Sequence, residues 1–184
     1  MLDVNFNPFP TLSTERLVLR QFRNTDAAHL FVLRSDESIM RFIPRPLATS
    51  EADTAVLIQS FNENIRTNEM ITWAIALRDS DEVVGTIGFV RMSKENYRAE
   101  VGYLLRTDYH GSGMMREALV AVVNYGFRTL NLHSIEAVVD PKNVASARLL
   151  ERCGFQKEGH FKENKFYNGR FFDSVYYARF TPIE

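Results

Sequence analysis

The chain has 184 residues, 45% hydrophobic and 24% charged, which suits one globular domain spanning 1–184 with a substantial core. Its 22 basic and 23 acidic side chains leave a formal net charge of −1, so no overall positive field invites nucleic acid or an anionic membrane. A lone Cys153 excludes a disulfide framework and a cysteine-built zinc site, no apolar run nears the ~20 residues of a membrane span, and the start Met1-Leu2-Asp3-Val4-Asn5 lacks the regions of a signal peptide, so a cytoplasmic protein is expected.

After a turn-like arm at Asn7-Pro8-Phe9-Pro10, the segment from Glu15 to Phe22 alternates polar with apolar and predicts a half-buried strand. A helix begins at Asp26, with Ala27, Leu30, Phe31 and Arg34 along it, and Pro44 and Pro46 then oblige an extended connection. Thr49 or Ser50 caps a second helix, whose positive end suits Glu51 and Asp53 and whose apolar side is Ala55, Leu57, Ile58 and Phe61. The period then changes to two. Segments 73–77 and 83–90 read as a hairpin joined through Asp79-Ser80-Asp81, and a third strand runs from Tyr97 to Arg106.

The stretch from Tyr109 to Ala118 is the most informative, because Gly111 and Gly113 lie between the apolar strand Val101–Leu105 and a helix whose buried face is Met115, Ala118, Leu119, Val122 and Val123. N–H groups at a helix start lack intrahelical acceptors, the helix dipole adds partial positive charge, and glycines let an anion approach the main chain. The plainer reading of the same glycines is a tight connection that needs positive φ. Next, 133–139 reads as a strand stopped by Asp140-Pro141, Asn143 caps a short helix ending at Gly154, and strands over 155–161 and 171–180 flank the turn Asn168-Gly169. The expected fold is α/β: one mixed, mostly antiparallel twisted sheet of about seven strands with helices on both faces. The four histidines show no metal-ligand spacing, and no metal is expected.

Leu12-Ser13-Thr14-Glu15-Arg16-Leu17-Val18-Leu19-Arg20, Val84-Gly85-Thr86-Ile87-Gly88, Ala99-Glu100-Val101-Gly102-Tyr103, the glycine turn, and the run from Asn143 to Phe155 form a set. Together these segments resemble the GNAT N-acetyltransferases, in particular the branch with the RimJ and RimL ribosomal-protein N-terminal acetyltransferases. Each alone is unspecific; their order and spacing are specific, and they cover nearly the whole chain.

The resemblance implies acetyl transfer from acetyl-CoA to an amine, with the CoA diphosphate held by main-chain N–H groups of His110, Gly111, Ser112, Gly113, Met114 and Met115. A helix start neutralises a diphosphate without a basic surface, which agrees with the charge of −1. The family usually has Gln or Arg where this chain has His110. The resemblance also implies that the strand before the turn splays from its parallel neighbour, and that main-chain groups of Tyr103, Leu104 and Leu105 pair with the pantetheine. Asn143 caps its helix and is also a candidate pantetheine ligand.

An amine must be neutral to attack, and an α-amino group with a pKa of about 7.7–8.0 is far more reactive at neutral pH than a lysine at about 10.4. Glu100, on the same strand face as Gly102 and Leu104 if alternation holds, is the candidate general base. The tyrosine that many family members use as general acid is replaced by Leu150; Ser146, in the first turn after Asn143, matches a serine of the RimL-like branch, and the resemblance makes it the candidate acid. Phe42 and the Pro44–Pro46 turn are candidate walls of the acceptor cleft, and the resemblance implies that the C-terminal hairpin carrying Tyr167, Asp173 and Tyr176 borders it, with no role assigned to these three. The expected acceptor is a protein or peptide N-terminal α-amine. A small-molecule amine, a non-catalytic acyl-CoA sensor and a purely structural interaction module are the alternatives, and a homodimer is compatible with the sequence.

Overall fold

In a computed structural model, which describes residues 1–181, eight strands form one sheet: β1 (Leu12–Ser13), β2 (Leu17–Arg20), β3 (Ile71–Leu77), β4 (Val83–Ser93), β5 (Arg98–Leu105), β6 (Ser134–Val139), β7 (Gln156–Tyr167) and β8 (Arg170–Phe180). Their order is β1-β2-β3-β4-β5-β6-β8-β7, and every neighbouring pair is antiparallel except β5 with β6. Five helices complete the chain: α1 (Ala27–Ser35), α2 (Glu37–Met40), α3 (Glu51–Arg66), α4 (Met114–Arg128) and α5 (Val144–Arg152).

Alternation along the strands sorts the core into two layers. Trp73, Ile75, Phe89, Ala99 and Val101 pack with the α4 face formed by Met115, Ala118, Leu119, Val122 and Val123. Ala74, Ala76, Val83 and Leu104 turn to the other side and pack with Leu30 and Leu33 of α1 and Ile58 of α3. Trp73 is fully buried, its indole N–H donating to the Pro10 carbonyl at 2.7 Å, and so belongs to the core. Ser50 rather than Thr49 is the cap of α3: its hydroxyl accepts from the Asp53 N–H at 3.3 Å, while the Asp53 carboxylate accepts from the Thr49 N–H at 2.8 Å.

Three elements differ from expectation. The strand expected over Glu15–Phe22 is shortened to Leu17–Arg20 and gains a two-residue partner, β1, because the Thr14 hydroxyl turns the chain by accepting from the Leu17 N–H at 3.1 Å. That partner makes eight strands rather than seven. Helix α2 exists because the Asp36 carboxylate accepts from the Ser38 and Ile39 N–H groups at 2.7 and 3.3 Å. Strand β7 runs on to Tyr167 instead of stopping at Phe161, since irregular register between Phe161 and Lys165 lets pairing with β8 resume.

A buried charge cluster holds α1 against the sheet. The Arg20 guanidinium donates to both Asp26 carboxylate oxygens at 2.8 and 3.0 Å and to Asp81 at 2.7 Å, with Arg20 6% and Asp26 4% exposed. Burial pushes the Asp26 pKa up, but the hydrogen bonds from Arg20 and the Arg23 N–H outweigh it and leave the carboxyl below its ordinary value. Its stabilising contribution is therefore full above about pH 4 and is lost as pH falls through the depressed value. Asp26→Asn is expected to cost about 3 kcal/mol, read as a lower urea midpoint at neutral pH, and to flatten the acid side of the stability curve.

Candidate active site

The mouth of α4 is open because its N-terminal residues cannot bond within the helix and its cap cannot supply a side chain. Gly113 caps α4 at φ 82°, and Gly111 precedes it at φ 73°. The turn uses some of its own donors: the His110 N–H bonds the Thr107 carbonyl at 3.0 Å, the Ser112 N–H reaches the Tyr109 carbonyl at 3.4 Å, and the Met114 N–H reaches the Ser112 hydroxyl at 3.4 Å. Among the described residues, no protein acceptor meets the N–H groups of Gly111, Gly113, Met115 or Arg116. Of the six residues expected to line this cradle, Gly111, Gly113 and Met115 present free donors, and Arg116 adds a fourth. The turn is braced from outside. Arg16 donates to the Ser112 carbonyl at 3.0 Å and to Glu117 at 2.8 Å, and the Arg16 N–H also reaches Glu117 at 2.8 Å.

Beside this mouth the sheet parts. Strand β5 pairs with β6 only at Arg98, Ala99 and Glu100, whereas it stays paired with β4 as far as Leu105. The edge from Val101 to Leu105 is therefore open toward β6. The Arg106 N–H bonds the Val84 carbonyl at 2.9 Å, and counting back by two assigns the main-chain groups of Leu104 to Thr86 on β4. Those of Tyr103 and Leu105 face the opening. Leu104 thus drops out as a main-chain donor to a ligand in the gap, since its polar groups are already in the ladder. The Leu105 carbonyl accepts from His110 Nε2 at 2.9 Å, which gives the His110 ring a structural partner. Gly102 has its own packing reason: a Cβ there would lie 3.1 Å from Cγ1 of Val90, the residue at the register irregularity of β4.

Glu100 and Ser146 lie on opposite faces of the sheet. Glu100 shares its face with Gly102 and Leu104, and its carboxylate is 3.6 Å from the Arg91 guanidinium at the edge of a cleft of about 440 Å³ lined by Met70, Arg98 and Glu136. Burial raises the Glu100 pKa above its ordinary value and the neighbouring Glu136 adds to this, against the opposing pull of Arg91 and Lys165. On the other face, Asn143 caps α5 by accepting from the Ser146 N–H at 3.1 Å, which places the Ser146 hydroxyl 2.7 Å from the Tyr103 phenol. Burial pushes the Tyr103 pKa up to about 12, so the phenol is neutral at physiological pH.

A family model described as an acetyltransferase (GNAT) domain matches residues 16–156. An N-acetyltransferase of Bacillus subtilis, YoaA, itself uncharacterized, is 37% identical over 176 residues, covering 96% of this chain and 99% of its own. The chain belongs to the GNAT acetyltransferase family. It is an N-acetyltransferase, which removes the non-catalytic sensor and the purely structural module from consideration. A GNAT acetyltransferase structure from Bacillus anthracis superposes with a TM-score of 0.83 at 29% identity, covering 93% of this chain and 98% of that one. Among further relatives, a ribosomal protein uS5 alanine N-acetyltransferase of Escherichia coli is 28% identical over 183 residues (95% of this chain, 93% of its own). A spermidine N(1)-acetyltransferase of Vibrio cholerae is 28% identical over 162 residues (86% and 89%).

Within this GNAT frame, sequence reasoning overlooked two features. The resemblance assigns Tyr103 only its main-chain groups, although alternation from Glu100 already turns the side chain toward the α4 and α5 side. The brace of Arg16 on Ser112 and Glu117 joins residues some 100 positions apart, and no local pattern announces it. Cys153 is a buried free thiol whose pKa is pushed up by burial. No helix among the described residues is long and apolar enough to cross a membrane.

Proposed function

We propose that this acetyltransferase is a single catalytic domain that uses acetyl-CoA and modifies the α-amine of a protein or peptide N-terminus in the cytoplasm. The observation that carries the reading is the set of free N–H groups on Gly111, Gly113, Met115 and Arg116 beside the unpaired edge of β5. Four unpaired donors at and just before a helix start suit a diphosphate, and an open strand edge suits an amide-containing arm, so these residues fit the coenzyme. Acetyl-CoA supplies an acyl group already activated as a thioester. Tyr103 and Leu105 orient it through their main chain, Glu100 takes the proton of the attacking amine, and the Ser146 hydroxyl holds a proton for the departing thiolate.

The α-amine is favoured because a single carboxylate with a raised pKa suffices for a nucleophile that is partly neutral at pH 7, whereas a lysine side chain needs more assistance. A small-molecule amine is the second reading, favoured by the likeness to a spermidine acetyltransferase. Titration calorimetry with CoA, followed by thiol release from acetyl-CoA over N-terminal peptides, spermidine and aminoglycosides, tests both. Heat on CoA addition with turnover on peptides is the expected result. No heat at all would remove the coenzyme from the reading, and turnover on spermidine alone would replace the peptide.

A further inference from the structure

The sheet face that carries Glu100 holds more positive charge than its ion pairs consume. In register, Glu100 stands beside Glu136, Glu136 opposite Ala178, and stepping by two along β8 brings Tyr176 and Phe172 to the same face. Lys165 of β7 lies opposite Phe172 and so joins the face of Glu100. Leu104, also on this face, packs into the cluster formed by Leu30 and Leu33 of α1 and flanked by Ile43 and Leu47, which brings α1 and the connection after α2 alongside. The carboxylates here have partners: Glu100 has Arg91 at 3.6 Å, and Arg98 serves Glu136 at 3.6 Å and Glu158 at 4.0 Å.

Three cations do not. Arg34, Arg45 and Lys165 join no ion pair among the described residues. Arg34 Nε is buried without a hydrogen-bond partner, and burial together with Arg45 lowers its pKa to about 10. Arg45 and Lys165 both act electrostatically on Glu100. A half-buried guanidinium without an acceptor and beside a second positive charge is unfavourable in the free protein and relaxes when an anion arrives. A polycation on this face would meet repulsion instead.

We infer that the acceptor is a peptide N-terminus with an acidic side chain in its first few residues, the carboxylate meeting Arg34, Arg45 and Lys165 while the amine faces Glu100. This rests on the proposed peptide acetylation and names the peptide class it serves. The probes are paired peptides that begin Ala-Glu-Glu and Ala-Gln-Gln, with free glutamate and spermidine alongside, all compared by kcat/KM at low salt. The acidic peptide is expected to exceed its neutral twin by about tenfold and to exceed both small amines. Its advantage should shrink toward twofold in 0.5 M salt and in the double variant R45Q/K165Q. Equal rates on the paired peptides, a lead for glutamate or spermidine, or a preference untouched by the double variant would each overturn the inference. Acetylation of both peptides at equal rates leaves the proposed function standing; acetylation of no amine, with CoA still bound, defeats that function as well.

Discussion

Glu100→Gln is expected to lower kcat/KM by a factor of about 10² to 10⁴, the range general base catalysis supplies, with little change in the affinity for CoA. Glutamine keeps the shape and fills the same space beside Arg91, so folding should survive. The pH profile is the sharper readout. Burial raises the Glu100 pKa, so the wild-type rate should rise through an ionisation above the ordinary carboxyl value and gain from the ionised form at higher pH. Without that carboxylate, the remaining rate should follow the amine's own ionisation near pH 8, moving the profile upward. A variant with a lower rate but an unmoved profile would mean that Glu100 shapes the cleft without taking the proton.

Ser146→Ala carries the second large effect, a fall in kcat of about 10² with KM for acetyl-CoA little altered, since the hydroxyl is needed only as the thiolate leaves. The Tyr103 phenol, 2.7 Å from that hydroxyl, is a positioning residue: its pKa pushed up to about 12 by burial, it keeps Ser146 in one orientation without titrating in the assay range. Tyr103→Phe should therefore reduce kcat by about tenfold while leaving KM for acetyl-CoA and the pH profile where they are. Stopped assays over a range of acetyl-CoA concentrations separate the two constants. Full activity in the Ser146→Ala enzyme would retire the serine as proton donor and leave the thiolate to depart unaided. Equal kcat in Tyr103→Phe and wild type would show that the phenol contact is only packing.

The local chemistry of the chain was enough to recognise its glycine turn, the cap of α5, that of α3 to within one residue, and its strand periods. Gly113 demands a left-handed backbone, Ser50 and Asn143 answer unpaired N–H groups within three residues, and the alternation around Glu100 already chooses a face; each is a short-range rule written in adjacent side chains. What these rules do not contain is which strand edge remains unpaired. That Leu104 is spent on Thr86 while Tyr103 and Leu105 face the opening depends on where β6 stops following β5. The meeting of Tyr103 with Ser146 spans 43 positions, and that of Arg16 with Glu117 spans 101. The electrostatic pull of Arg45 and Lys165 on Glu100 likewise joins three separate elements. Residue type and spacing determined the family, the fold class and the candidate proton carriers. Only tertiary structure decided which donors are left free and which charges are left unpaired, because a hydrogen bond or ion pair is consumed by whatever neighbour folding brings within reach.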